Sequence, residues 1–213
     1  MKKMSLYAWL VTMVCGFAFL WFYFKRGPAH PSAELANLGQ ISEFTLTDQN
    51  GETFASPSLH GKVWLVNFMF TRCKGPCPRM TQKISELAQR HQVPEQNEGG
   101  LKGARQPPEQ KVHIVSITMD PKNDTSEVLK AYGQQFSADF SQWHFLTGQL
   151  DDIINISRSA FRLPAGQDPN MHSTRVVLID QMAAIRGFYD SADDAALKQL
   201  EADITRLTSS PTT

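Results

Sequence analysis

Residues 63–70, Val-Trp-Leu-Val-Asn-Phe-Met-Phe, constrain this chain more than any other stretch. An apolar run interrupted only by Asn67 leaves no face for water, so it reads as a strand covered on both sides of a sheet. Such a sheet needs helices packed on it, and the next residues supply the first. Met80, Ile84, Leu87 and Ala88 recur at helical spacing. Pro78 suits a first helical position, where the missing N–H would have no intrahelical partner.

Between strand and helix lie Cys73 and Cys77. Four residues of helix return to within about 40° of the starting direction. With Cys73 in the entering loop or first turn, both sulfurs can face one way and close a disulfide or hold one soft metal. The positive end of the helix dipole, with Arg72, Lys74 and Arg79 close by, is expected to pull a thiol pKa from about 8.5 toward roughly 3.5–7.5. That would make the pair reactive. The competing reading makes Cys77, in phase with Met80 and Ile84, a core cysteine only, and two cysteines flanking Gly75 and Pro76 at a strand-to-helix turn argue against it. The common redox signature has two intervening residues and this one has three, so spacing leaves redox chemistry and metal binding both open.

With 213 residues, 41% of them apolar, the chain can build one sizeable core, and nothing requires a second. The first 26 residues hold four of the 21 basic groups and no acid, which leaves the remainder at a net charge of −4. Nucleic acid, which calls for a basic face, is an unsuitable partner. Residues 4–24 carry no charge, and about 20 residues suffice to cross a bilayer as a helix. They read as a transmembrane anchor rather than a cleaved signal. The run is too long for a signal core, no small-x-small site follows, and Trp21-Phe22-Tyr23-Phe24 suits an aromatic interface belt. Cys15 is then a membrane-buried thiol, since Val14 stands where lipoprotein attachment expects a small residue. Lys2 and Lys3 balance Lys25 and Arg26, so charge does not settle orientation. A short N-terminus kept inside exports the domain to a periplasmic or intermembrane-space side.

Residues 25–40 read as a linker, with His30 solvated, and 41–207 as the folded domain. Phe44 to Gly51 alternates into an Asn-Gly turn, and Ser58 to Gly61 turns into the central strand with His60 at the surface. Residues 93–110, rich in Gly, Pro and polar groups, read as a flexible loop. A strand over 112–119 follows. The Asp124 and Glu127 pair has the capping-box pattern for a helix carrying Val128, Leu129, Tyr132 and Phe136 inward, which explains Asp124 without a metal, and a turn explains Asp120-Pro121. Trp143 to Leu146 is a short strand, and the next helix carries Leu150, Ile153, Ile154 and Ser157 and ends near Phe161. A turn-rich loop at 163–170 delivers Met171 and His172 directly before a strand over 175–180, with 185–189 its hairpin partner. Leu197, Leu200, Ile204 and Leu207 close the fold as an amphipathic helix, with 208–213 a frayed tail. Strands interleaved with helices predict an α/β architecture.

These residues resemble the Sco/SenC family of thioredoxin-like, membrane-anchored copper proteins. The resemblance rests on the strand and turn from Phe44 to Gly51, Gly61-Lys62, Thr71-x-Cys73-x-x-x-Cys77-Pro78, Asp120-Pro-x-x-Asp124-Thr125, Tyr132 with Phe136, and His172-Ser173-Thr174 before Leu178-Ile179-Asp180. It spans roughly 42–205, and its strength lies in the order of motifs that are individually weak. It implies a thioredoxin-like central sheet flanked by helices, preceded by one transmembrane helix. It also implies one copper, Cu(I) or Cu(II), per chain, held by Cys73, Cys77 and His172. The implied partners are a copper donor protein and the copper-site subunit of cytochrome c oxidase, whose dinuclear centre the family helps assemble. Two thiolates and an imidazole suit copper, soft sulfur holding Cu(I) and nitrogen helping to accommodate Cu(II). Zinc usually takes four ligands, and no fourth is evident. A thiol–disulfide oxidoreductase acting through Cys73 and Cys77 is the alternative. The family usually has Pro after the first cysteine and an acid before the histidine. Here Lys74 and Met171 make the site more positive, which is expected to favour thiolates. The Met171 thioether is then either a further soft contact or, more simply, a packing group.

Overall fold

The computed structural model describes residues 35–91 and 112–209, and of the N-terminal stretch Met13 alone. The predicted anchor at 4–24, Cys15, most of the linker and the loop at 93–110 lie outside the described residues. Among the described residues no helix is long and apolar enough to cross a membrane.

Two short strands, β1 (Thr45–Thr47) and β2 (Thr53–Ala55), form an antiparallel hairpin. Its turn passes through Gly51 at φ +81, the left-handed region where glycine pays no Cβ penalty. A 3-10 turn (Ser56–Leu59) leads to β3 (Trp64–Met69), which feeds α1 (Pro76–His91). Then come β4 (His113–Thr118), α2 (Ser126–Gln135), β5 (Trp143–Leu146), α3 (Leu150–Asn155), β6 (Arg175–Ile179), β7 (Ile185–Asp190) and α4 (Asp194–Ser209).

The main sheet has the order β5-β4-β3-β6-β7. β3, β4 and β5 run parallel, while β6 joins the other side of β3 antiparallel and β7 pairs antiparallel with β6. All six residues of β3 are buried, as the apolar run requires of a central strand. Its side chains alternate between two cores. Trp64, Val66 and Phe68 join Phe44, Leu46, Ile153 and Phe161 on one face. Leu65 and Met69 join Cys77, Met80, Ile84, Leu129, Leu200 and Ile204 on the other. Thus α1, α2 and α4 cover one face, and the hairpin with α3 covers the other. Asn67 is tolerated inside because its Oδ1 accepts from Ser116 Oγ at 2.8 Å, and that hydroxyl accepts from Trp143 Nε1 at 2.9 Å. The polar chain crosses three strands without leaving the Asn67 carbonyl unpaired.

Four expectations change. Helix α1 begins at Pro76 rather than Pro78. Both prolines fall within the first turn, whose N–H groups have no intrahelical acceptors. The hydroxyl capping α2 belongs to Thr125, which accepts from the Val128 N–H at 3.4 Å, and Asp124 is drawn inward instead. Val128 is exposed, because the inward stripe of α2 runs through Leu129 and Tyr132. The closing helix continues to Ser209, where Thr208 Oγ1 and Ser209 Oγ donate to carbonyls of its last turns. After α3 the helix widens into a single π turn (Ile156–Ala160). Phe161 follows it into the core, edge-on to Phe44, Trp64 and Phe68.

Candidate metal and thiol site

Trp64 of β3 lies opposite Ile179 of β6, and Val66 opposite Val177. Antiparallel pairing therefore puts the end of β3 and the start of β6 at one edge of the sheet. The chain leaves β3 there into residues 71–77, and His172 precedes β6 by three residues.

This edge brings Cys77 Sγ to 3.7 Å from His172 Nε2, across 95 residues of sequence. Cys77 is the second residue of α1 and fully buried at 0% exposure. His172 Nδ1 lies 2.9 Å from the carbonyl of Ser173. A carbonyl only accepts, so Nδ1 carries the proton and donates, and the bare Nε2 faces the sulfur. A metal bonded at about 2.3 Å to sulfur and about 2.0–2.1 Å to nitrogen, with tetrahedral to trigonal angles, separates those atoms by roughly 3.5–3.8 Å. The spacing of the pair already fits one ion.

Cys73 is half-buried in the loop before α1, with its N–H on the Phe70 carbonyl at 3.2 Å. Its Sγ lies 3.9 Å from where a Cβ on Gly75 would stand, and it is close enough to Cys77 to help push that thiol's pKa up. Both thiols are free. Among the described residues no three His, Cys, Asp or Glu side chains are gathered closely enough to hold a metal as they stand. Cys77 and His172 form a preset pair, and Cys73 meets it from the Cys77 side.

The electrostatics differ from expectation. Burial, then the hydrogen bond with Cys73, pushes the Cys77 thiol up from an ordinary 9.0 to about 12, although a backbone hydrogen bond from Phe70 pulls the other way. Desolvation outweighs the helix dipole because a buried thiolate loses water that no neighbouring cation replaces. Arg72 is committed to Asp120 at 2.8 Å, and Lys74 and Arg79 are exposed. Burial also lowers the His172 pKa, with the Ser173 carbonyl partly opposing it, so the imidazole is neutral at pH 7. Met171 is 65% exposed, so most of its thioether faces solvent rather than packing inward.

Two further groups serve the site. Asp124, 0% exposed, accepts from the Thr71 N–H at 3.0 Å, from Thr71 Oγ1 at 2.5 Å and from Thr118 Oγ1 at 2.5 Å. With Arg72 on Asp120, it latches the start of the cysteine loop to the end of β4. The Phe70 ring stands edge-on to the His172 ring, centroids 5.8 Å apart at 89°. Phe70 reads in the sequence only as the end of an apolar run. The signal for Asp124 was the pair of threonines, Thr71 and Thr118, just past or at the ends of two adjacent parallel strands.

The sequence and fold are also similar to those of known proteins. The SCO1/SenC family model matches residues 33–209. A SCO1/SenC family lipoprotein from Bacillus anthracis has a solved structure 31% identical in sequence, with TM-score 0.68, covering 82% of this chain and 98% of its own. Two structures show likeness of fold alone. BsSco, a member of the Sco family of cytochrome c oxidase assembly proteins in which a disulfide switch was identified, is 22% identical (TM-score 0.67, 83% and 98% covered). ScoI of Bradyrhizobium japonicum, solved with copper bound, is 23% identical (TM-score 0.58, 79% and 99% covered).

Proposed function

This chain belongs to the SCO1/SenC family, and from that premise we propose that it binds one copper through Cys73, Cys77 and His172 and passes it to the copper-site subunit of cytochrome c oxidase. The observation that carries this reading is the 3.7 Å approach of Cys77 Sγ to the unprotonated Nε2 of His172. Copper solved in ScoI of the same fold supports it. Residues 4–24 anchor the chain in the membrane, and the domain works on the exported side.

Within this reading the residues divide the work. Cys77 and His172 hold from the buried side, and Cys73, half-buried in a loop, is the thiolate that an incoming donor or acceptor exchanges with first. Copper supplies the cargo and a one-electron couple. Cys77 must give up its proton as metal binds, so loading releases protons.

Thiol–disulfide exchange is the second reading, favoured by the contrast between half-buried Cys73 and buried Cys77. The Cys73 thiolate attacks a partner disulfide, forming a mixed disulfide and releasing one partner thiolate. Cys77, once deprotonated, attacks Cys73 sulfur and releases the second partner thiolate. Two electrons pass to the partner, and Cys73–Cys77 becomes the disulfide.

Metal analysis of the full chain in detergent, with and without His172→Ala, separates the two. About one copper per chain in the parent, lost in the variant, supports the copper reading. A parent that takes no copper yet reduces a model disulfide supports exchange and overturns the first.

A further inference from the structure

Phe70 sits one residue past β3 and touches two of the three residues assigned above as copper ligands, each through a different group. Its ring meets the His172 imidazole edge-on at 5.8 Å. Its carbonyl accepts the Cys73 N–H at 3.2 Å.

The ring matters most because of what else holds His172. That residue lies in the loop before β6 rather than on the strand, with exposed Met171 directly before it. The bond from Nδ1 to the Ser173 carbonyl is made to the next residue, so it fixes the tautomer but travels with the loop. The contact from Nε2 to Cys77 is the one a metal would replace. The Phe70 ring, 8% exposed and in the core cluster with Met80 and Ile84, is the wall that remains when that contact changes.

We infer that Phe70 is a positioning residue that holds the His172 imidazole, and with it the nitrogen share of the copper site, through the edge-to-face contact. This rests on the copper reading of the same three residues. Nitrogen ligation counts more for Cu(II) than for Cu(I), which thiolates satisfy, so Phe70 sets the balance between the two oxidation states. An edge-to-face pair is worth enough to shift an orientation equilibrium by about two- to tenfold.

The test uses the full chain in detergent with Phe70→Leu and Phe70→Met, which keep an apolar group of similar bulk, and Phe70→Tyr, which keeps the ring. Cu(II) and Cu(I) affinities are measured by competition with chelators. In the metal-free, reduced chain the His172 ring is followed by NMR with labelled histidine. The expected result is a two- to tenfold fall in Cu(II) affinity relative to Cu(I) in the Leu and Met variants, largely restored in Tyr. The metal-free His172 side chain loses order in step in the Leu and Met variants and regains it in Tyr. An unchanged affinity ratio together with unchanged order of the His172 side chain overturns the inference, whatever the melting temperatures do, because a plain core plug lowers stability without moving either. If the parent takes no copper, the copper reading falls while the metal-free NMR arm still decides whether Phe70 positions the ring.

Discussion

Replacing Asp124 by alanine tests whether this carboxylate is a latch or a helix cap. The side chain is wholly buried and accepts three hydrogen bonds, from the Thr71 N–H, Thr71 Oγ1 and Thr118 Oγ1. The two hydroxyls can rotate toward other acceptors, but the Thr71 N–H is fixed by the backbone. Leaving a buried donor unpaired costs about 1–3 kcal/mol, and hydrogen bonds to a charged group contribute about 1.5–3 kcal/mol each. With partial rescue by rotation, D124A is expected to lose about 3–5 kcal/mol. At this chain length each kcal/mol moves the melting temperature by about 2–4 °C. The assay is thermal or urea unfolding of the metal-free chain, paired with the alkylation rate of Cys73, which should rise as the loop comes free. The cap belongs to Thr125, so T125A should cost only about 0.5–2 kcal/mol and leave alkylation unchanged. Were D124A to melt within a couple of degrees of the parent with Cys73 alkylating at the same rate, the latch would contribute nothing and the reasoning would fail.

Other expectations follow from the same burial. In the metal-free chain with reduced thiols, iodoacetamide at pH 8 should modify Cys73 well before Cys77, whose thiol is buried and pushed up to about 12; equal rates by mass spectrometry would contradict this. Burial lowers the His172 and His144 pKa values, so the unfolded chain takes up protons first as pH falls. The contribution is fully present above about 6.5 and is lost below it; urea midpoints at pH 7.5 and 5.5 should show the decline, and a smaller one in H172Q. The alkaline sign is opposite, because the unfolded Cys77 thiol ionises first as pH rises past 9.0 and stability drains toward about 12; the loss should shrink in C77A. Finally, Asp180 and Arg186 pair at 2.7 Å in a largely buried setting, so R186M should cost about 3–5 kcal/mol by stranding the carboxylate, again read by urea unfolding.

What could be read from the sequence was whatever periodicity and punctuation carry. The apolar run at 63–70, broken only by Asn67, announced a central strand, Asn50-Gly51 announced the hairpin, and the boundaries of β5 match because Trp143, Phe145 and Leu146 are apolar between polar turns. What misled was local analogy. Asp124 followed three residues later by Glu127 has the spacing of a capping box, yet two threonines from the ends of neighbouring strands outbid the helix for that carboxylate. Positive neighbours around Cys77 suggested a low pKa, yet charge counts in sequence carry no information about solvent. Burial, which depends on α1 packing against β3 and β6, set the opposite sign. Phe70 was hidden for a third reason. Its role depends on a residue 102 positions later, and only the antiparallel register of β3 against β6 brings the two rings together.

The site is thus uneven by construction. Cys77 is held by α1, and His172 stands against core-packed Phe70, whereas Cys73 and Lys74 occupy a loop whose start is latched through Thr71 and Arg72. A carrier needs both properties, since a rigid three-point cage retains its ion and a loose one loses it. In the proposed role, the fixed sulfur and nitrogen supply retention, and the loop sulfur supplies the exchangeable position through which an acceptor displaces one ligand at a time. Loosening the latch with D124A should then speed copper loss to a competing chelator more than it lowers equilibrium affinity. Loosening the wall with F70L should do the reverse for Cu(II). If both substitutions changed rate and affinity in the same proportion, the two halves would not be separable and the division between holding and exchanging would have to be abandoned.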